Sequence, residues 1–175
     1  MRRRHPLPRL WLMTDERMGD ALWDALERLP RGGGVVFRHY GLAPAERRAL
    51  FAKVLKVARR RRLVLIRAGA QPMRGESGAH GAYGPGLRTA PAHSRREAIA
   101  ALRAGAHALF VSPAFPTRSH PGARALGRVR FGRLVQGLGV PVIALGGMDP
   151  RMAASLRPFG TYGWAAIDAW TGAKG

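Results

Sequence analysis

The chain has no cysteine, which excludes disulfides, thiolate nucleophiles and cysteine-bound zinc, and agrees with a reducing cytoplasm as its expected location. It is also poor in acid: 10 Asp and Glu stand against 30 Lys and Arg, a formal charge of +20 over 175 residues. Lysine is itself scarce, with only Lys53, Lys56 and Lys174, so the positive charge is almost all arginine. No apolar run approaches the length of a membrane span. The start, MRRRHPLPRLWLM, places basic residues before apolar ones, but Pro6, Pro8 and Arg9 interrupt the apolar part and Thr14-Asp15 ends it. That pattern reads against a signal peptide.

A chain this basic collects anions, and nucleic acid is the first partner to weigh. Arginine bias with abundant Ala and Gly is also what a GC-rich coding sequence gives on any solvated surface. The densest cluster, Arg59–Arg62, closes a helical pattern where cations suit the helix dipole, and no aromatics interleave with it. This distribution disfavours nucleic acid as the partner.

Short apolar runs alternate with amphipathic stretches along the chain. Strands are expected over Leu10–Thr14, Val35–Tyr40, Leu63–Ala68, Leu87–Ala92, His107–Ser112, Val140–Leu145 and within Thr161–Trp170. Helices are expected over Asp20–Leu29, Ala43–Arg61, Ser94–Ala106, Gly127–Gly139 and Asp149–Phe159. Ser94 and Glu97 form a capping box, and Asp149-Pro150 is a cap followed by a first-turn proline. Residues 69–86 are rich in Gly and Pro; they support a helical turn near Gly75–Ala79 and a strand stub near Gly81–Tyr83. Eight strands with helical connections predict parallel pairing, and no Gly-x-Gly-x-x-Gly follows the first strand. The expected fold is an α/β (β/α)8 TIM barrel, a single domain over 1–175, with a reduced fourth βα unit and a short C-terminal helix.

The connection SPAFPTRSHPGARALG (Ser112–Gly127) is long for a compact domain and carries hydroxyls, cations and glycines. Thr117 and Ser119 offer hydroxyls, and Arg118 or His120 adds a cation. His120 is the candidate general acid or base because imidazole titrates near neutrality. Gly146 and Gly147 allow backbone N–H groups to approach a phosphate, as recurs after the seventh and eighth strands of such barrels. The loop reads as a lid over an anionic ligand. Thr14-Asp15 is read as organising the first turn, His93 as packing beside its helix start, and the four tryptophans as filling core and rim.

LWLMTDER, VVFRHYG, AHSRREAIAALRAGA, SPAFPTRSHPGARALG, VPVIALGGMDPRMAASL and FGTYGWAAIDA together resemble the thiamine-phosphate synthase family and its TenI-type thiazole tautomerase relatives. The resemblance covers nearly the whole chain and implies a TIM-barrel transferase of thiamine biosynthesis. Such an enzyme joins a pyrimidine methyl diphosphate to a thiazole phosphate and releases pyrophosphate with magnesium's help. It implies a catalytic Arg38 on the second strand, where Val36 and Tyr40 replace the family's glutamine and lysine. Arg67-Ala68 stands at the family's Asn-Asp, and YGPGLR carries no acid where a second magnesium carboxylate is expected. Pro91 falls on the family's phosphate-binding serine, and Asp168 on another serine that holds phosphate.

Magnesium needs hard oxygen ligands, including at least one carboxylate, so the metal that the resemblance implies lacks its expected ligands here. Arg38 and Arg67 are candidates to replace metal charge with guanidinium charge. The expected partners are small phosphorylated heterocycles. Three functions remain open: a thiamine-phosphate synthase-like enzyme with altered or lost metal chemistry, a TenI-like isomerase or phosphate-ligand binder, and a basic nucleic-acid-binding protein.

Overall fold

In the computed structural model, which describes residues 7–117, 122 and 124–171, the apolar runs form eight short strands. These are β1 (Leu10–Met13), β2 (Gly34–Phe37), β3 (Val64–Ala68), β4 (Gly78–His80), β5 (Leu87–Ala92), β6 (Ala108–Val111), β7 (Val142–Leu145) and β8 (Gly163–Ala166). Each strand pairs in parallel with the next, and β8 returns to β1 through Leu10↔Trp164 and Trp11↔Ala165, closing the barrel. The side-chain period of two sends Trp11, Met13, Val36, Ile66, Ala68, Phe110, Ile143 and Ala165 to the interior. Trp11 is fully buried there, edge-on to Phe110 at 5.2 Å, and its indole donates to Pro8 O at 2.8 Å. The neighbouring strand makes room for it: a Cβ on Gly34 would fall inside the Trp11 ring. The RGGG break in the sequence therefore ends in a residue the barrel interior requires.

The outward residues pack under five helices: α1 (Ala21–Arg28), α2 (Pro44–Arg61), α3 (Arg95–Arg103), α4 (Gly127–Val135) and α5 (Pro150–Leu156). One apolar layer lies under α1 and α2 and another under α3 to α5. The expected caps are present. Ser94 Oγ accepts from Glu97 N at 3.2 Å and donates to Glu97 Oε1 at 3.1 Å, while Glu97 Oε2 accepts from His93 N at 2.9 Å. Asp149 accepts from Met152 N at 2.7 Å, and Pro150 opens α5. Among the described residues, no helix is long and apolar enough to cross a membrane.

The fourth βα unit is reduced as expected, but the bounds expected within it need correction. The reduced region comprises two connections, since neither β3 nor β4 is followed by a helix among the described residues. The fourth strand is Gly78–His80 rather than Gly81–Tyr83, and no helical turn forms over Gly75–Ala79. Gly78 explains the placement, because a Cβ there would collide with the Leu87 backbone of β5. At the other end the expected short C-terminal helix is present as a 3-10 turn, Asp168–Trp170.

An ion pair stands where the third helix would be. Arg67 shares the outward side of β3 with Leu65, and its side chain is 1% exposed. Its Nε lies 2.8 Å from Glu76 Oε2, out of line for a hydrogen bond, so the contact is ionic; Nη1 donates to Gly69 O and Nη2 to Tyr83 O at 2.8 Å. The guanidinium thus ties both helix-less connections to the barrel wall. Arg47 of α2 does similar work beside β2 and β3. Buried without a carboxylate, it donates to the carbonyls of Arg38 (3.0 Å), His39 (3.0 Å) and Ala68 (2.7 Å).

Candidate functional site

The carboxyl ends of the strands form one mouth, and the connection after β6 covers part of it. The Ser112–Pro113 peptide is cis, and the following backbone lies along the end of β7: Ala114 N donates to Leu145 O at 2.8 Å and Phe115 N to Gly146 O at 3.0 Å. Gly146 and Gly147 take φ of +93° and +60°, the left-handed region that favours glycine. A Cβ on Gly147 would collide with Pro116 O, and one on Gly146 would lie 3.0 Å from Pro113 Cα. The paired glycines therefore let residues 113–116 rest directly on the turn after β7.

A cleft of about 390 Å³ opens between these segments. Its apolar wall comes from Pro113, Pro116, Leu145, Met148, Ala166 and Ile167, and its polar groups are Arg38, His93, Ser112, Thr117, Asp149 and Asp168. A pocket mainly apolar, with a few convergent polar groups, suits a small ring that carries polar substituents.

Arg38 enters the cleft from β2 and is tightly held. Its Nε donates to Thr14 O and its Nη2 to Asp15 Oδ2, both at 2.8 Å, while its own N–H donates to Thr14 Oγ1 at 3.0 Å. Arg17 clamps the same carboxylate from the other side at 2.7 Å. The hydrogen bond from Arg17, with the Arg38 charge behind it, holds the Asp15 carboxyl down at about 2. His39 follows in a left-handed conformation (φ +33°), with Nδ1 3.0 Å from Thr14 Oγ1 and its ring stacked on Phe37; burial lowers its imidazole. Thr14-Asp15 therefore organises the first turn and also orients the arginine.

On the far side, His93 Nδ1 lies 2.9 Å from Ser112 O. A carbonyl only accepts, so Nδ1 carries the proton and a neutral ring has its lone pair on Nε2. Beneath the mouth, His80 is buried inside the barrel, 2.9 Å from Thr89 Oγ1 and edge-on to Phe110. Burial pushes its imidazole down to about 4, with the Arg38 charge adding to the effect.

The chain is similar in sequence and in fold to several known proteins. The family model described as thiamine monophosphate synthase matches residues 89–170, from β5 to the last 3-10 turn. A thiamine-phosphate synthase of Pyrococcus furiosus is 33% identical over 85 residues, covering 49% of this chain and 41% of that protein. A putative thiamine-phosphate synthase 2 of Aquifex aeolicus is 27% identical over 179 residues, covering 92% of this chain and 96% of that one. Among solved structures, a thiamine phosphate pyrophosphorylase of Pyrococcus furiosus superposes with a TM-score of 0.76 at 23% identity, covering 96% of this chain and 89% of that one. Over its second half the chain is similar to the thiamine-phosphate synthase/TenI family, and over nearly its whole length it shares the fold of a thiamine phosphate pyrophosphorylase. The match to the first of these relatives spans less than half of that relative's length.

The cleft gathers Arg38, Thr117, Gly146, Gly147 and Asp168, five of the residues singled out in the sequence. Arg67 is a correction: it points through the outer wall to Glu76 and takes no part in the cleft, because its place in β3 has the opposite parity to Ile66 and Ala68. Arg118, Ser119 and His120 lie outside the described residues. His93, Ser112 and Asp149 also line the cleft, although sequence reasoning gave His93 a packing role and overlooked the other two as lining. The His93 Nδ1 contact to Ser112 spans 19 positions, a pairing that spacing does not reveal.

The described residues do not build a magnesium site from protein ligands alone. They contain no group of three or more His, Asp or Glu side chains placed to hold a metal. Asp15 is clamped by two arginines, Glu76 is paired with Arg67, and Asp149 caps α5.

Proposed function

We propose that this chain acts in thiamine biosynthesis as a thiamine-phosphate synthase-like protein, seating a phosphorylated thiazole in the mouth cleft and coupling it to a pyrimidine methyl diphosphate. In that reaction the carbon–oxygen bond to the diphosphate breaks, its electron pair leaves with pyrophosphate, and the thiazole supplies the pair for the new bond. The observation that carries the reading is the cleft itself, where the β6 connection seated on Gly146-Gly147 faces Arg38 across an apolar wall. The wall formed by Leu145, Met148 and Ala166 suits a flat heterocycle. Thr117 offers a hydroxyl at the loop end, and Arg38, fixed by Thr14 and Asp15, offers a preorganised donor at no reorganisation cost. His120 is the acid–base group of this proposal, with Arg118 and Ser119 as phosphate partners and Asp168 as an acceptor for a ligand donor.

The absence, among the described residues, of a magnesium site built from protein ligands alone favours a second reading, in which the cleft binds or isomerises the thiazole phosphate without coupling. Calorimetric titration separates the two. Thiazole phosphate is titrated with and without magnesium and the pyrimidine diphosphate, and pyrophosphate release is followed in parallel. Release dependent on both substrates supports coupling, and metal-independent thiazole binding without release supports the second reading. No binding of either compound contradicts both.

A further inference from the structure

The acids of this chain are unevenly spread. Between Glu76 and Asp149 the only one is Glu97, against nine arginines. Glu97 is itself engaged, by Ser94 Oγ and His93 N at the start of α3. Arg95 then ties α3 to α4: its Nη1 donates to Leu134 O at 2.9 Å and Gln136 O at 2.7 Å, where a cation also suits the helix C-terminus. Arg95 thereby joins the start of α3 to the end of α4. Arg96 and Arg103 are exposed on α3, seven positions or two turns apart on one side; on α4 Arg130 and Arg133, three positions apart, share a side, while the exposed Arg128 lies about 160° round the helix from Arg130. Among the described residues, none of these five guanidinium groups has an ion-pair or hydrogen-bond partner.

The cluster that looks densest in the sequence is different. Arg60 and Arg61 both reach Glu27 of α1, and Arg61 also donates to the carbonyls of Glu27 (2.6 Å) and Leu29 (2.9 Å). Folding therefore partly neutralises the Arg59–Arg62 run and leaves the α3–α4 face uncompensated. None of the five arginines lines the mouth cleft, so the face is separate from the proposed active site.

The make-up of the face selects its partner. Guanidinium forks match phosphate oxygens two at a time, which favours phosphate over a diffuse negative surface. The exposed large apolar side chains on these helices are Ile99 and Val129 alone, too little to insert into a lipid interface. No exposed aromatic stands among them, so the face lacks a platform for stacking single-stranded bases. We propose that the α3–α4 face binds the phosphate backbone of double-stranded nucleic acid, without reading its sequence. The absence of aromatics beside Arg59–Arg62, which disfavoured nucleic acid in the sequence, is consistent with backbone binding at a different face.

Fluorescence anisotropy with a labelled random duplex, at salt from about 50 to about 200 mM, tests the proposal. Four phosphate contacts, from Arg96, Arg103, Arg130 and Arg133, predict a log–log slope of about −3.6, and the triple variant Arg96→Gln/Arg130→Gln/Arg133→Gln flattens it to about −0.9 and weakens binding more than about tenfold. The triple variant Lys53→Gln/Lys56→Gln/Arg59→Gln loses the same formal charge from α2 and stays close to the parent. Equal weakening in the two variants would place the binding in bulk charge and overturn the assignment. So would absence of duplex binding at the lowest salt, or tighter binding to phosphatidylserine vesicles or to an acidic peptide than to the duplex. Both variants alter exposed side chains, and their melting temperatures verify that they are folded.

Discussion

Gly147→Ala separates two costs that usually arrive together. The first is conformational: at φ +60°, a residue with a Cβ pays roughly 1–2 kcal/mol to remain left-handed. The second is steric. The new Cβ would collide with Pro116 O and stand 2.9 Å from Phe115 Cβ, so the backbone of the β6 connection must move. Overpacking against a structure that cannot yield costs a further 1–3 kcal/mol, or about that order. Gly137 supplies the control, since it has φ +70° and nothing within 4 Å of an added Cβ. Gly137→Ala should therefore lose about 1–2 kcal/mol in urea unfolding, and Gly147→Ala about 2–5 kcal/mol. Thiazole phosphate affinity should fall only in Gly147→Ala, because the segment displaced there roofs the cleft. Equal unfolding losses in the two variants would refute the claim that the paired glycines exist to seat residues 113–116.

Three further outcomes follow from buried charge. His80 has an imidazole held down at about 4 against an ordinary 6.5, so between those values the unfolded chain binds a proton that the folded chain refuses. Stability is complete above that window and falls by about 3 kcal/mol as pH drops through it; His80→Gln should flatten this dependence in pH-resolved denaturant melts, and an unchanged slope contradicts it. Arg67→Met should cost about 3–5 kcal/mol by leaving Glu76 buried and unpaired, and Arg67→Met/Glu76→Gln should recover part of it; thermal unfolding that shows no recovery rejects the strut. Arg47→Lys should not rescue the loss seen in Arg47→Met, since an ammonium cannot span the carbonyls of Arg38, His39 and Ala68. Equal stability of Arg47→Lys and the parent would count against that role.

Much of this architecture was legible because the apolar runs are short and mostly flanked by glycine. The α3 and α5 starts were readable to the residue, since Ser94-Glu97 and Asp149-Pro150 are local devices. β4 was misplaced because Gly78-Ala79-His80 has almost no apolar pattern, and what fixes the strand is the contact of a missing Cβ with β5. Arg67 was drawn toward the mouth by its position at a strand end, when the inward placement of Ile66 and Ala68 already sends it outward. In the cleft, Gly146-Gly147 and Thr117 were recognisable as types. The tethering of Arg38 by Asp15 and of His93 by Ser112 depends on neighbours 23 and 19 positions away. Such pairings follow from closure of the barrel and have no local signature.

The central claim is that a phosphorylated thiazole sits against the β7 and β8 ends of the mouth. Amide chemical-shift mapping during titration with thiazole phosphate tests it directly. The largest shifts should fall on Gly146, Gly147, Ile167 and Ala169, with Gly137, Gly139 and Gly160 at the opposite end of the barrel unmoved. Shifts concentrated at that opposite end, or none anywhere at saturating ligand, would contradict the account.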